Sequence, residues 1–200
     1  MALSPLAVQE LAEGVLGCIC EALDDTAAKV DGQPGCPCRS CVVPGQPAWD
    51  TCDDPCGEAA TTGGQLTVNV ARMYASSLDT FPSTEARDQA VRGKRGCKLP
   101  GLTAVELVIT VLRCVPTPND QGCPPSCEDL AAAARVINFD AVSVLNALDC
   151  CLPALGVRRQ GLLYVIGAQR QVGPEGGCAG TEQRVTVGLV NCKCPDDETP

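Results

Sequence analysis

Histidine is absent from the 200-residue sequence. The side chain most often used as a general base and as a metal ligand is therefore missing. Ser-His-Asp and Cys-His nucleophilic chemistry within this chain is excluded outright. Aromatic residues are scarce: Trp49, Tyr74, Phe81, Phe139 and Tyr164 are all there are. Aliphatic residues, alanine and cysteine must fill the core. No run of about 18 or more uncharged apolar residues occurs, which argues against a membrane-spanning helix. Val15-Leu16-Gly17-Cys18 superficially resembles a lipoprotein cleavage site. No Lys or Arg precedes it, however, and Glu10 and Glu13 interrupt the apolar run that an export signal needs.

Acid and cysteine are present in excess. The net charge is −9, which disfavours nonspecific binding to a phosphate backbone. The exception is a basic cluster, Arg87, Arg92, Lys94, Arg95 and Lys98. Its two readings are a solvated loop and a contact for an acidic face of a partner or neighbouring copy. Cysteines number 16, a density near that of disulfide scaffolds, which are normally short secreted chains. A particle assembled in a cell and matured outside it reconciles the two facts.

The chain reads as one domain over residues 1–194, with a cysteine-rich loop insertion at 31–63 and an acidic, flexible tail at 195–200. Residues 4–30 form a helix, with Ser4 as N-cap, Pro5 at N1 and an apolar stripe through Val8, Leu11, Val15, Cys18, Ile19 and Leu23. Gly14 and Gly17 weaken it unless another element packs closely there. Five prolines in the 31–63 segment argue against helix and central strand alike. Gln65 to Tyr74 and Leu102 to Val115 alternate as strands. Ser126 to Leu152 is a second helix, opened by a Ser126–Asp129 capping box. Gln160 to Cys192 is a strand pair joined by a Gly- and Pro-rich connection from Gly173 to Gly180. The expected fold is α+β: a largely antiparallel four-stranded sheet with two long helices on one face.

Cys36, Cys38, Cys41, Cys52 and Cys56 form the sharpest chemical constellation. Disulfides, a four-thiolate zinc site and free buried thiols are all compatible with that spacing. Cys18 reads as a small core residue; Cys150 and Cys151 either pack or find a distant partner. The Gly173–Gly180 connection lacks the Lys-Ser/Thr ending of a phosphate loop and is not followed by a helix. Cys38-x2-Cys41 lies among prolines rather than at a helix start, which argues against a redox enzyme. Adjacent carboxylates form no acid/base dyad, and Glu106 inside an apolar strand is expected to be exposed or to pair across strands. No catalytic residue, cofactor site or metal site is assigned.

Several stretches resemble tail-terminator proteins at the head–tail junction of long-tailed actinobacterial phages. They are Pro-Gly-Gln-Pro-Ala-Trp-Asp-Thr-Cys (44–52), Gly-Gln-Leu-Thr-Val-Asn-Val-Ala-Arg-Met-Tyr (64–74), Phe81-Pro82, Leu-Arg-Cys-Val-Pro (112–116) and the 173–189 hairpin region. The resemblance implies a non-enzymatic virion protein assembled in the host cytoplasm. It implies a homohexameric ring that ends the tail tube, contacts the tube protein and the connector or stopper, and lets DNA pass without specific binding and without a membrane partner. Interface candidates are the basic cluster and Gly173, Pro174, Glu175, Gly176 and Gly177. The alternative from the cysteines alone is a zinc-binding adaptor module.

Overall fold

The computed structural model describes residues 3–47, 63–83, 102–155, 163–175 and 177–190. Two helices, α1 (Pro5–Ala27) and α2 (Cys127–Cys151), accompany five strands: β1 (Arg39–Val42), β2 (Gln65–Ser76), β3 (Leu102–Cys114), β4 (Leu163–Glu175) and β5 (Cys178–Val190). They form one sheet in the order β1-β2-β3-β5-β4. The β2–β3, β3–β5 and β5–β4 pairs are antiparallel, whereas β1 runs parallel to β2.

The four-stranded, largely antiparallel expectation is therefore corrected to a five-stranded mixed sheet. The additional strand lies in the cysteine-rich segment. Arg39-Ser-Cys-Val42 is a proline-free window between Pro37 and Pro44. Among the described residues it pairs on one side only, so the flanking prolines cost no ladder bond there. The Gly173–Gly180 connection is also shorter than expected. Gly173, Pro174 and Glu175 belong to β4, and Cys178 already opens β5.

Both helices begin as their caps dictate. The Ser4 hydroxyl accepts from Leu6 N–H, and the Ser126 hydroxyl accepts from Asp129 N–H while donating to Asp129 Oδ2. Strand alternation then separates two sheet faces. Leu66, Val68, Val105, Leu107, Ile109, Val111, Val185 and Val187 meet Leu11, Val15, Ile19, Leu23, Val144 and Leu148 of the helices in a single apolar core. At about 1.5–3 kcal/mol per buried aliphatic side chain, this core is the main favourable contribution to folding. Gly14 earns its place in α1 because a Cβ there would lie 2.9 Å from Leu155 Cδ2.

The helices run antiparallel along a seam of small residues, Cys18 against Cys151 and Thr26 against Ser143, whose hydroxyls lie 2.7 Å apart. α2 is long and apolar enough to cross a bilayer by length and composition. Its stretch from Ile137 to Leu148 instead contributes the residues that bury against this core.

Candidate functional site: the disulfide framework, a buried ion pair and an arginine ladder

Cysteines two apart on a helix point about 200° apart and so serve different neighbours. Cys18 is bonded to Cys151 at the end of α2, and Cys20 is bonded to Cys36 ahead of β1. Cys18 is thus a cross-link rather than a plain core thiol, and Cys151 has the distant partner. Cys38 and Cys178 are disulfide-bonded as well. Cys41 in β1 carries a free thiol, as do the exposed Cys123, Cys127 and Cys150. Cys52 and Cys56 lie outside the described residues. With Cys36 and Cys38 oxidised, two of the five candidate zinc thiolates are taken, and no metal-binding cluster of His, Cys, Asp or Glu occurs among the described residues.

The segment beside Cys36 is also held by a polar network. Arg113 has the parity of Val105, Leu107, Ile109 and Val111, so its side chain enters the helical side of the sheet. There it meets Asp140 on α2. The pair is 4% and 1% exposed, with Arg113 Nε donating to Asp140 Oδ2 at 2.7 Å. Arg113 also donates to Asp140 Oδ1 and to the carbonyls of Gly35 and Gly63. Gln33 Nε2 donates to Asp140 Oδ1 at 2.6 Å, and Asp24 Oδ1 accepts from Cys36 N–H. Burial pushes the Asp140 carboxyl above its ordinary pKa, against the opposing pull of Arg113. Taken together, α1, α2, β3 and the approach to β1 are tied at one point.

The opposite face of the sheet carries charge. Glu106 is 7% exposed and bonded across strands to Arg72 of β2 and, at 3.0 Å, to Arg184 of β5. Arg184 reaches Glu182 at 3.2 Å, and Glu182 reaches Arg170 of β4 at 2.8 Å. The expected cross-strand pairing of Glu106 is present, with the carboxylate buried rather than exposed. The ladder holds three arginines and two glutamates, a surplus of +1. Hydrogen bonding to Glu106 raises the pKa of Arg72, and that to Glu182 raises the pKa of Arg170. Arg72 and Arg170, at the two ends, are each 60% exposed. Gln46 and Pro47 stand over this face near Asn69 and Thr110, leaving a pocket of about 300 Å³.

Among the described residues, β4 forms an open edge of the sheet. Leu163 and Val165 are 39% and 41% exposed. At its far end, Gly173 has φ +88°, and a Cβ there would lie 2.6 Å from the Cys178 carbonyl oxygen. Gly173 is therefore required by the turn into β5. Pro174 and Glu175 are exposed beside it and Gly177 is half-buried. Gly176 and the basic cluster Arg87, Arg92, Lys94, Arg95 and Lys98 lie outside the described residues, so the candidate interface residues are brought together only at Gly173–Glu175 and Gly177.

Sequence reasoning missed the Arg113–Asp140 pair and the ladder. The signal for the first was present: an arginine with inward parity, and an aspartate in the apolar stripe of α2. Between the helices lies an open cleft of about 620 Å³, lined by Cys18, Glu21, Asp25, Lys29, Asn146 and Cys150 among others. The sequence matches no protein-family model and no curated protein.

Proposed function

We propose that this protein is a non-enzymatic structural component of a virion, one copy of a ring at the head–tail junction. In that role it ends the tail tube and joins it to the head connector. The observation that carries the reading is the open β4 edge. From Leu163 to Ala168 it holds no charge and no proline. It also exposes Leu163 and Val165. An unprotected edge of this kind is a template for pairing with another chain, and a ring is built from repeated heterologous contacts.

The resemblance of residues 44–52, 64–74, 112–116 and 173–189 to tail terminators supplies the place in the particle. A net charge of −9 suits a lumen that DNA traverses without adhering. The disulfides suit service outside a cell. Electron microscopy of the purified protein and of virions tests the reading, with discrete rings expected. A protein that stays monomeric in solution and is absent from the junction density overturns it.

A further inference from the structure

The two faces of the molecule carry opposite charge patterns. α1 contains Glu10, Glu13, Glu21, Asp24 and Asp25 and no Lys or Arg. All five carboxylates are exposed. At 100° per residue, Leu6, Glu10, Glu13, Gly17, Glu21 and Asp24 fall within one narrow stripe on the side away from the core. Leu6 is 64% exposed, and a Cβ on Gly17 would meet nothing within 4 Å. The centre of the stripe is thus low and open to a close approach. The far side of the sheet carries the Arg72–Glu106–Arg184–Glu182–Arg170 ladder, with its surplus arginine charge. Arg72 bonds Glu106 through Nε, and Arg170 bonds Glu182 through one terminal nitrogen. Each therefore has further N–H groups facing solvent, suited to forked bonding with carboxylates.

The dimensions agree. Arg72 and Arg170 are three strand spacings and two side-chain rows apart, a diagonal of about 20 Å. Glu10 and Asp24 are fourteen residues apart on a helix, about 21 Å. We propose that the acidic stripe of α1 in one copy docks along the arginine ladder of a second copy. The contact is heterologous, because a helix face meets a sheet face. The copy that docks through its stripe keeps its ladder free, and the copy that docks through its ladder keeps its stripe free, for further neighbours. The proposal depends on the ring reading only for closure into a ring. Pairwise docking stands apart from any place in a virion.

The test uses the full oxidised protein in sedimentation velocity. Self-association is expected at low salt. It should weaken at about 1 M salt, where the screening length falls to about 3 Å. Glu10→Lys with Glu13→Lys lies on an exposed helix face and leaves the fold intact, as far-UV circular dichroism would verify. This variant is expected to self-associate about tenfold or more weakly. Arg72→Glu with Arg170→Glu should likewise fail alone, and mixing the two variants should restore assembly. If the ladder variant does not fold, the same restoration is read with Arg170→Glu by itself. Wild-type association unchanged by Glu10→Lys/Glu13→Lys overturns the docking mode while leaving the ring reading in place. Failure of the mixture to assemble removes the ladder as the counterpart. A strictly monomeric wild-type protein at low salt overturns the docking; the ring reading falls with it only if the protein is also absent from the junction density.

Discussion

Asp140→Asn is the sharpest probe of how the fold is held. The substitution keeps size and shape but removes the charge facing Arg113, whose side chain is 4% exposed. Arg113 would keep the carbonyls of Gly35 and Gly63, yet its charge would be uncompensated in the interior. Breaking a buried pair from one side costs about 3–5 kcal/mol. For a chain of this size, about 1 kcal/mol corresponds to roughly 2–4 °C, so a drop in Tm of roughly 6–20 °C is expected. Arg113→Met with Asp140→Leu removes both charges and leaves two carbonyls without donors. It should be no less stable than Asp140→Asn alone. Urea unfolding followed by circular dichroism, in the oxidised state, measures all three. A loss below about 1 kcal/mol for Asp140→Asn, or a double variant clearly less stable than Asp140→Asn, would refute a dry, coupled pair.

Peptide mapping without reductant should recover Cys18–Cys151 and Cys20–Cys36. Opening the second, a 16-residue separation, should cost about 3 kcal/mol, and opening the first, at 133 residues, about 5 kcal/mol on chain entropy. Equal thermal stability with and without reductant would contradict this. Val165→Lys should suppress self-association, with stability changed by no more than about 0.5 kcal/mol. Unaltered sedimentation would remove the β4 edge from the assembly surface. Gly173→Ala should destabilise by about 1–3 kcal/mol, since φ is +88° and the new Cβ meets the Cys178 carbonyl. A neutral result in thermal unfolding would show that the turn rearranges.

Local signals located most of the elements because the information they need is local. Ser4 with Pro5, and Ser126 with Asp129, place both helix starts within a residue. The alternation of Val185, Val187 and Leu189 with Arg184, Thr186 and Gly188 gives the two faces of β5 without knowledge of its neighbours. β1 escaped because four residues among prolines carry no periodicity, and only the adjacent edge of β2 makes them a strand. The arginine ladder escaped for a related reason. Arg72, Glu106, Arg170, Glu182 and Arg184 become neighbours only once strand order and register are known, and the bulge between Val70 and Arg72 shifts which β2 residues face outward. Cysteine spacing has the same limit: Cys36 lies near four cysteines in sequence and bonds Cys20 instead.

The scarcity of aromatics explains why the cross-links sit where they do. Among the described residues, Tyr74 is the only buried aromatic residue. The seam between α1 and α2 is poorer still: Ala22 and Ala147 lie between the Cys18–Cys151 bond and the Thr26–Ser143 contact. Side chains this small bury little area, so packing alone would hold the helices weakly against each other. A covalent bond at one end of the seam replaces much of that missing contact. The Arg113–Asp140 pair fixes α2 to the sheet nearby. The direction of the acidic stripe on α1 is then set relative to the ladder on the far side of the sheet. Whether heterologous copies close into a ring or run on as an open helix depends on that angle. A fixed angle between two distant faces is a property the loosely packed seam could not provide without its disulfide. Reduction of Cys18–Cys151 should therefore broaden the distribution of assembled species before it unfolds the protomer, which mass photometry across a reductant series would resolve.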